Sequence, residues 1–200
     1  MAHPCVILLS MKILAISDTH GKLNKVRDIW PKLKNIDLIL HGGDYRDDGL
    51  RLEQELNVPV IAVRGNCDGG GSGDFETVDT EFGRILLVHG HVQGVSYSTD
   101  RLVYKALEEG CCAAVYGHTH VSANLLLDGS ADAGRNTSQV RLINPGSLTL
   151  PRDGSGGSYA IIRTDADRLD ASIVYYNTVM GRETVKSGTL RNLLNNSDRF

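Results

Sequence analysis

The residue pattern predicts an α/β fold whose buried strands deliver polar side chains to one edge. Three observations carry this reading. Through the first half of the chain, short apolar runs alternate with segments at helical spacing. These runs end, one after another, in clusters of Asp, His, Asn and Gly. The 200 residues suit one domain with some extension, at about 150 residues per domain.

Lys12–Ser17 is an apolar run of the kind a strand shows when both faces are buried. Leu23, Val26, Ile29, Trp30 and Leu33 follow near helical spacing, and Pro31 is expected to end or bend that helix. Asp37–Leu40 is a second buried strand. Residues 48–57, with Leu50, Leu52 and Leu56, form the next helix, and Val58–Val63 the third strand. After the Gly/Ser-rich stretch 69–74, Phe75–Asp79 and Arg84–Val88 pair as a hairpin around Glu81–Gly83. A helix begins with Ser98 or Thr99 as its N-cap, buries Leu102, Val103, Ala106 and Leu107, and closes at Gly110. Ala113–Tyr116 is a short strand. From Val121 onward the pattern changes to a meander of Asn124–Leu127, Val140–Ile143, Tyr159–Arg163 and Ala171–Tyr176, with exposed turns over 128–138 and 152–158.

Composition narrows the class. Apolar residues make up 41% and charged residues 22%, with a formal net charge of -3, so no basic excess points to nucleic acid or an anionic membrane. No run approaches the roughly 20 apolar residues of a membrane span. The cysteines at 5, 67, 111 and 112 form neither a disulfide framework nor a zinc knuckle, which suits a reducing cytoplasm. Residues 1–10 read as an extension ahead of a natural start at Met11, residues 11–180 as the domain, and 181–200 as a partly disordered tail. The Asn-x-Ser matches at Asn136 and Asn195 carry little meaning in a protein that is not exported.

The clusters at the strand ends carry the chemistry. They are Asp18-Thr19-His20, Gly43-Asp44, Gly65-Asn66, His89-Gly90-His91 and His118-Thr119-His120, and they hold five of the 7 histidines. In largely parallel sheets the carboxyl ends of the strands gather along one edge, where ligands bind. Residues at i and i+2 of an extended chain point to the same side. Asp, His and Asn together suit manganese, iron, zinc or nickel. The donors are too many for one ion with an open position. Two ions about 3.5–4 Å apart, bridged by a carboxylate and a water, account for the surplus. Asp44 is the natural bridge, having one oxygen for each ion.

Taken in order, Asp18-x-His20, Gly43-Asp44, Gly65-Asn66-Cys67-Asp68, His89-Gly90-His91 and Gly117-His118-x-His120 resemble the signature of the calcineurin-like metallophosphoesterase superfamily. Gly65–Asp68 and the later Asn144-Pro145-Gly146-Ser147 are similar to its small bacterial and archaeal phosphodiesterase branch. The resemblance spans roughly residues 12–165. It implies two facing mixed β-sheets flanked by α-helices. It also implies that Asp18, His20 and His120 hold one divalent ion and Asn66, His89 and His118 a second, with Asp44 bridging. Manganese is the expected metal, with nickel, iron, zinc or magnesium as alternatives.

Two such cations would lower the pKa of a bridging water to furnish hydroxide near neutral pH and would polarise the phosphoryl oxygens. No covalent nucleophile is needed, which removes Ser17, Thr19 and Cys67 from that role. The chain departs from the wider superfamily at Cys67, where a histidine there can protonate the leaving alkoxide. A thiol near its ordinary ~8.5 is a poorer donor at neutral pH, so good leaving groups should be favoured or His91 should assist.

Other polar residues have blander expectations. His41 is expected to support a ligand or simply to pack, and His91 divides between a phosphate contact and such support. Asp68 is expected to cap its turn, Arg64 to salt-bridge at a strand edge, and residues 69–74 to form a plain connection. Asn144–Ser147 either lines the site or makes a Pro-Gly turn. Cys111 and Cys112 read as buried small residues. Leu125–Leu127 is core or an interface strand.

The reading at this point is a cytoplasmic phosphodiesterase acting on a small diester such as a nucleotide derivative, with long nucleic acid disfavoured and homo-oligomers open. The rivals are a phosphomonoesterase with the same metals and a protein-interaction scaffold similar to the retromer subunit of this fold. A scaffold has no need to keep every ligand, and here each is present.

Overall fold

Ile13 and Ala15 point to one side of their strand and Leu14 and Ile16 to the other, and all four are buried. That alternation places a layer on each face of the strand. In the computed structural model, which describes residues 10–128 and 139–181, the strand is β1 (Ser10–Ile16). It pairs in parallel with β2 (Leu38–His41), which pairs in parallel with β3 (Val60–Ala62). On its other side β1 meets β9 (Ser158–Asp165) and then β10 (Leu169–Tyr175), both antiparallel. A second sheet of five strands runs β4 (Phe75–Asp79), β5 (Arg84–Val88), β6 (Cys111–Val115), β8 (Gln139–Asn144) and β7 (Ala123–Asp128).

The two sheets face each other. Ile13, Ala15, Leu40 and Ile162 of the first share one buried cluster with Ile85, Leu87, Val115 and Ile143 of the second. Each such Ile, Leu or Val side chain contributes about 1.5–3 kcal/mol on burial. Helices cover the outer faces. On the first sheet, α1 (Asn24–Ile29) and α2 (Arg46–Leu56) bring Val26, Ile29 and Leu52 against Leu14, Ile16 and Ile39, with the short α4 (Tyr176–Val179) alongside. On the second, α3 (Asp100–Glu108) packs Leu102, Val103 and Ala106 on Leu86, Val88 and Ala114. The expected two-sheet sandwich with flanking helices is the observed fold.

Details differ for local reasons. The first helix gives way at Trp30–Lys32 to a 3-10 turn carrying Pro31, as the proline requires. Helix α2 starts two residues earlier than expected. It buries Asp48 and Leu52, one turn apart, and leaves Leu50 52% exposed. Two residues along a helix is more than half a turn, so Leu50 and Leu52 cannot share a face. At α3 the Thr99 side chain makes no capping bond, and Ser98 Oγ accepts from the Asp100 amide instead.

The meander was expected to be continuous and is not. The antiparallel pairs β7–β8 and β9–β10 lie in different sheets, and β8 runs parallel to β6. Apolar runs buried on both faces carry no signal for which neighbour they pair with. Strand β7 is an edge strand with Leu125 and Leu126 exposed, while Leu127 packs on the second sheet's outer cluster. The expected extension ahead of Ser10, most of the 128–138 turn with Asn136, and the tail beyond Gly181 with Asn195 lie outside the described residues. Among the described residues no helix is long and apolar enough to cross a membrane.

The consequence for the site is geometric. Strands β1, β2 and β3 run the same way, as do β5, β6 and β8, so their carboxyl ends meet along one edge of the sandwich.

Candidate metal centre

At that edge the backbone is unusual. Asp18, His20, Asp44, Tyr45, His118 and His120 all have φ between 48° and 75°. Among the described residues, Asn35 and Asn57 are the other non-glycines with positive φ, and Asn tolerates that region. Holding a bulkier residue there costs about 1–3 kcal/mol each. Six in one place mark a site where side-chain aim outweighs backbone comfort.

The side chains converge. Donor atoms of Asp18, His20, Asp44 and His120 all lie within 4.8 Å of one another. His120 Nε2 stands 3.3 Å from Asp18 Oδ1 and 3.4 Å from His20 Nε2. A second group sits beside the first. His89 Nε2 is 3.1 Å from Asn66 Oδ1, and His118 Nδ1 is 3.0 Å from the same oxygen. Asp44 belongs to both, with Oδ2 3.6 Å from His20 Nε2 and Oδ1 3.3 Å from His89 Nε2. Asp18, Asp44, His89 and His120 are buried, whereas Asn66 opens to solvent.

The donor chemistry fits divalent cations. His89 Nδ1 donates to the Gly42 carbonyl at 2.7 Å, and His120 Nδ1 to the Leu150 carbonyl at 2.6 Å. In each neutral ring this leaves the Nε2 lone pair facing carboxylate or amide oxygens. Two lone pairs about 3.3 Å apart repel unless a proton or a cation lies between them. Accordingly, the hydrogen bond to Asp18 raises His120 above the ordinary histidine value. Burial opposes ionisation of Asp18, but the hydrogen bond with His120 and the nearby His89 together hold its carboxyl below the usual range. Burial, reinforced by His89, pushes His118 and His91 down, which favours their neutral, metal-competent form.

The two remaining residues singled out from the sequence also lie here. His91 sits with its ring 5.2 Å from that of His89 and 6.3 Å from that of His118. Its buried Nδ1 has no hydrogen-bond partner among the described residues. Cys67 exposes its thiol, 3.5 Å from Asn66 Nδ2, and its amide donates to Asp44 Oδ1 at 2.9 Å. Partial desolvation, Asp44 and the neighbouring carboxylates push the thiol up to about 11.

The supporting residues follow their blander expectations. Asp68 caps its turn, accepting from the Gly65 and Arg46 amides. Arg64 pairs with Asp74 at 2.8 Å and donates to the Gly69 carbonyl, and Gly73 O accepts from the Arg64 amide, which ties down the 69–74 connection. Asn144–Ser147 is a brace: Asn144 Nδ2 donates to Gly117 O and Thr119 Oγ1, and Ser147 Oγ donates to the Asp18 carbonyl. Cys111 is buried and Cys112 half-buried.

Some participants were not legible in the sequence. The carbonyls of Gly42 and Leu150, which orient two histidines, have no residue-type signature at all. Tyr45 was also missed. It follows Asp44 in the left-handed region, is 44% exposed, and sets its ring edge-on to His20 with centroids 5.6 Å apart. An aromatic residue directly after a candidate bridging carboxylate was the available signal.

Comparison with known proteins shows the family. The calcineurin-like phosphoesterase superfamily domain matches residues 11–167. A Bacillus subtilis (strain 168) protein named as a probable metallophosphoesterase, YsnB, is 32% identical over 169 residues, covering 84% of this chain and 91% of its own. The phosphodiesterase YfcE of Escherichia coli (strain K12) is 27% identical over 181 residues, covering 78% and 89%. A solved structure from Streptococcus pneumoniae TIGR4, described as that of a predicted phosphoesterase, superposes with a TM-score of 0.67 at 24% identity, covering 84% of this chain and 91% of its own.

Proposed function

The chain belongs to the calcineurin-like phosphoesterase superfamily, and on that premise we propose that it is a phosphodiesterase working with two divalent cations at the strand-end site. The observation that carries the reading is Asp44, whose two oxygens face two separate groups of donors. Asp18, His20 and His120 form one set of ligands and Asn66, His89 and His118 the other, with Asp44 in common. When bound, the cations, expected to be manganese, would activate water near neutral pH and draw charge from the phosphoryl oxygens.

The chain's own residues do the rest. The Gly42 and Leu150 carbonyls fix the ring orientation of His89 and His120. His91, its ring 5.2 Å from that of His89 and 6.3 Å from that of His118, stands beside the second donor group and is assigned either a phosphoryl contact or support of those ligands. The preference for a diester is supported by the phosphodiesterase among the relatives. A small substrate, such as a nucleotide derivative, suits the net charge of -3 better than a long polyanion. A cytoplasmic location goes with this reading.

The test is metal analysis of the purified protein together with hydrolysis of a chromogenic diester and the matching monoester. Two equivalents of metal and faster diester cleavage are expected. Faster monoester cleavage would make the protein a monoesterase. No metal and no turnover would leave a binding scaffold.

Cys67 tests the leaving-group step. A thiol held at about 11 is a weak acid for protonating an alkoxide. On a diester with a poor leaving group, Cys67→His is expected to be roughly 10²-fold faster than Cys67→Ala, at the low end for a general acid. With a nitrophenolate leaving group the two should match. Identical rates on both substrates would remove Cys67's position from proton transfer.

A further inference from the structure

Apart from Asp18 and Asp44, one carboxylate is fully buried among the described residues: Asp48, on the first turn of α2. It is not a member of either donor group. Its Oδ2 accepts from Thr19 Oγ1 at 2.7 Å and from the Gly21 amide at 2.8 Å. Its Oδ1 has only a long 3.4 Å contact to Arg51, whose side chain is largely exposed. The carboxyl group is therefore held chiefly by the loop that follows β1.

The bonds run in one direction. The Gly43 amide donates to His41 Nδ1 at 3.3 Å, so the neutral ring carries its proton on Nε2. His41 Nε2 donates to Thr19 Oγ1 at 2.9 Å, and the hydroxyl in turn donates to Asp48 Oδ2. Every polar atom on this path is used, and Thr19, His41 and Asp48 are all at most 1% exposed. A satisfied buried network of this kind is rigid, and a broken one is costly. Its two ends are informative. Thr19 stands between Asp18 and His20, both in the left-handed region, and Gly43 precedes Asp44, also left-handed.

We propose that Asp48, Thr19 and His41 are positioning residues that lock the Asp18–His20 turn against the Gly43–Asp44 turn and so set the cation affinity of the Asp18, His20, Asp44 and His120 group. The proposal rests on the metal-site reading above and adds an asymmetry to it. The network's side chains bond to the turns after β1 and β2, and none of the three hydrogen-bonds to Asn66, His89 or His118; its one link toward the second group is the Gly42 carbonyl, which accepts from His89 Nδ1. Asp18, His20 and His120 lie on the braced side and the other group shares only Asp44 and the Gly42 carbonyl with it, so disrupting the network should weaken the first cation more than the second.

Thr19→Val keeps the shape and deletes the hydroxyl, whereas Thr19→Ser keeps the hydroxyl. Asp48→Ala removes the acceptor, whereas Asp48→Asn keeps an amide oxygen for Thr19 and Gly21. Calorimetric titration of the metal-stripped full chain with Mn2+ reads both cations without reference to turnover. Thr19→Val and Asp48→Ala are expected to lose about 10–100-fold in affinity for one cation, with a clearly smaller loss for the other and the conservative pair near wild type. Thermal melts of the metal-free proteins identify any variant that fails to fold, and the second pair then decides. Equal loss at both cations would mean a purely structural role and overturn the proposal, as would wild-type affinities in Thr19→Val and Asp48→Ala. Wild-type protein that takes up no Mn2+ would overturn the metal-site reading itself, and the network's role with it.

Discussion

Asp44→Asn is expected to lose at least one cation and about 10³-fold or more in turnover, while folding as the wild type does. The carboxylate is the point where the two donor groups meet, with Oδ1 near His89 and Oδ2 near His20. An amide can offer one oxygen and no charge, so one group of ligands loses its shared member. A metal supplies several kcal/mol of transition-state stabilisation, and each 1.36 kcal/mol is ten-fold in rate. Asp44 lies at the edge of the sandwich and contributes nothing to the apolar clusters, so the melting temperature of the metal-free protein should move little. Metal analysis and diester turnover on the same preparation check both halves. Full metal content with full activity would show that the ligands have been wrongly assigned.

The second large effect requires no change in any ligand. An added Cβ at Gly65 would overlap Asp44 Oδ1 and the Asp44 amide nitrogen and come within 2.9 Å of the Asp44 Cα. Backbone atoms cannot rotate away as a flexible side chain can, so either the turn after β2 or the turn after β3 must shift. Gly65→Ala should therefore lower turnover by about 10²-fold or more, since a misplacement near 1 Å can cost that much. The expected signature is weakened binding of both cations, because Asp44 serves both groups. Gly70→Ala is the control: its Cβ would meet nothing within 4 Å, and it should behave as wild type. A Gly65→Ala protein with normal metal binding and rate would mean that the close approach of these two turns is dispensable.

The candidate donors were legible because the chemistry needs particular side chains at particular spacings. Asp18, His20, Asp44, Asn66, His89, His118 and His120 stand at the ends of apolar runs, and the structure brings all seven to one edge. The hairpin Phe75–Asp79 with Arg84–Val88 was legible to the residue, since its turn and its strands are all local. The buried face of helix α2 was misjudged because Asp48 is polar and buried while Leu50 is exposed, which inverts the rule by which apolar faces are found. That same residue anchors Thr19, so the misreading fell on a position whose burial is explained by another loop.

Residue types, their order and the spacing of apolar runs thus determined the α/β class, the candidate donors and the family. Those properties reside in the chain itself and survive any arrangement of its strands. The tertiary structure alone decided that β8 and β9 part into different sheets, that Asp44 faces two groups of donors, and that the carbonyls of Gly42 and Leu150 aim His89 and His120. Each of these depends on a contact between residues far apart in sequence, made through backbone groups that every amino acid carries. Side-chain identity cannot announce a partner that any residue could supply.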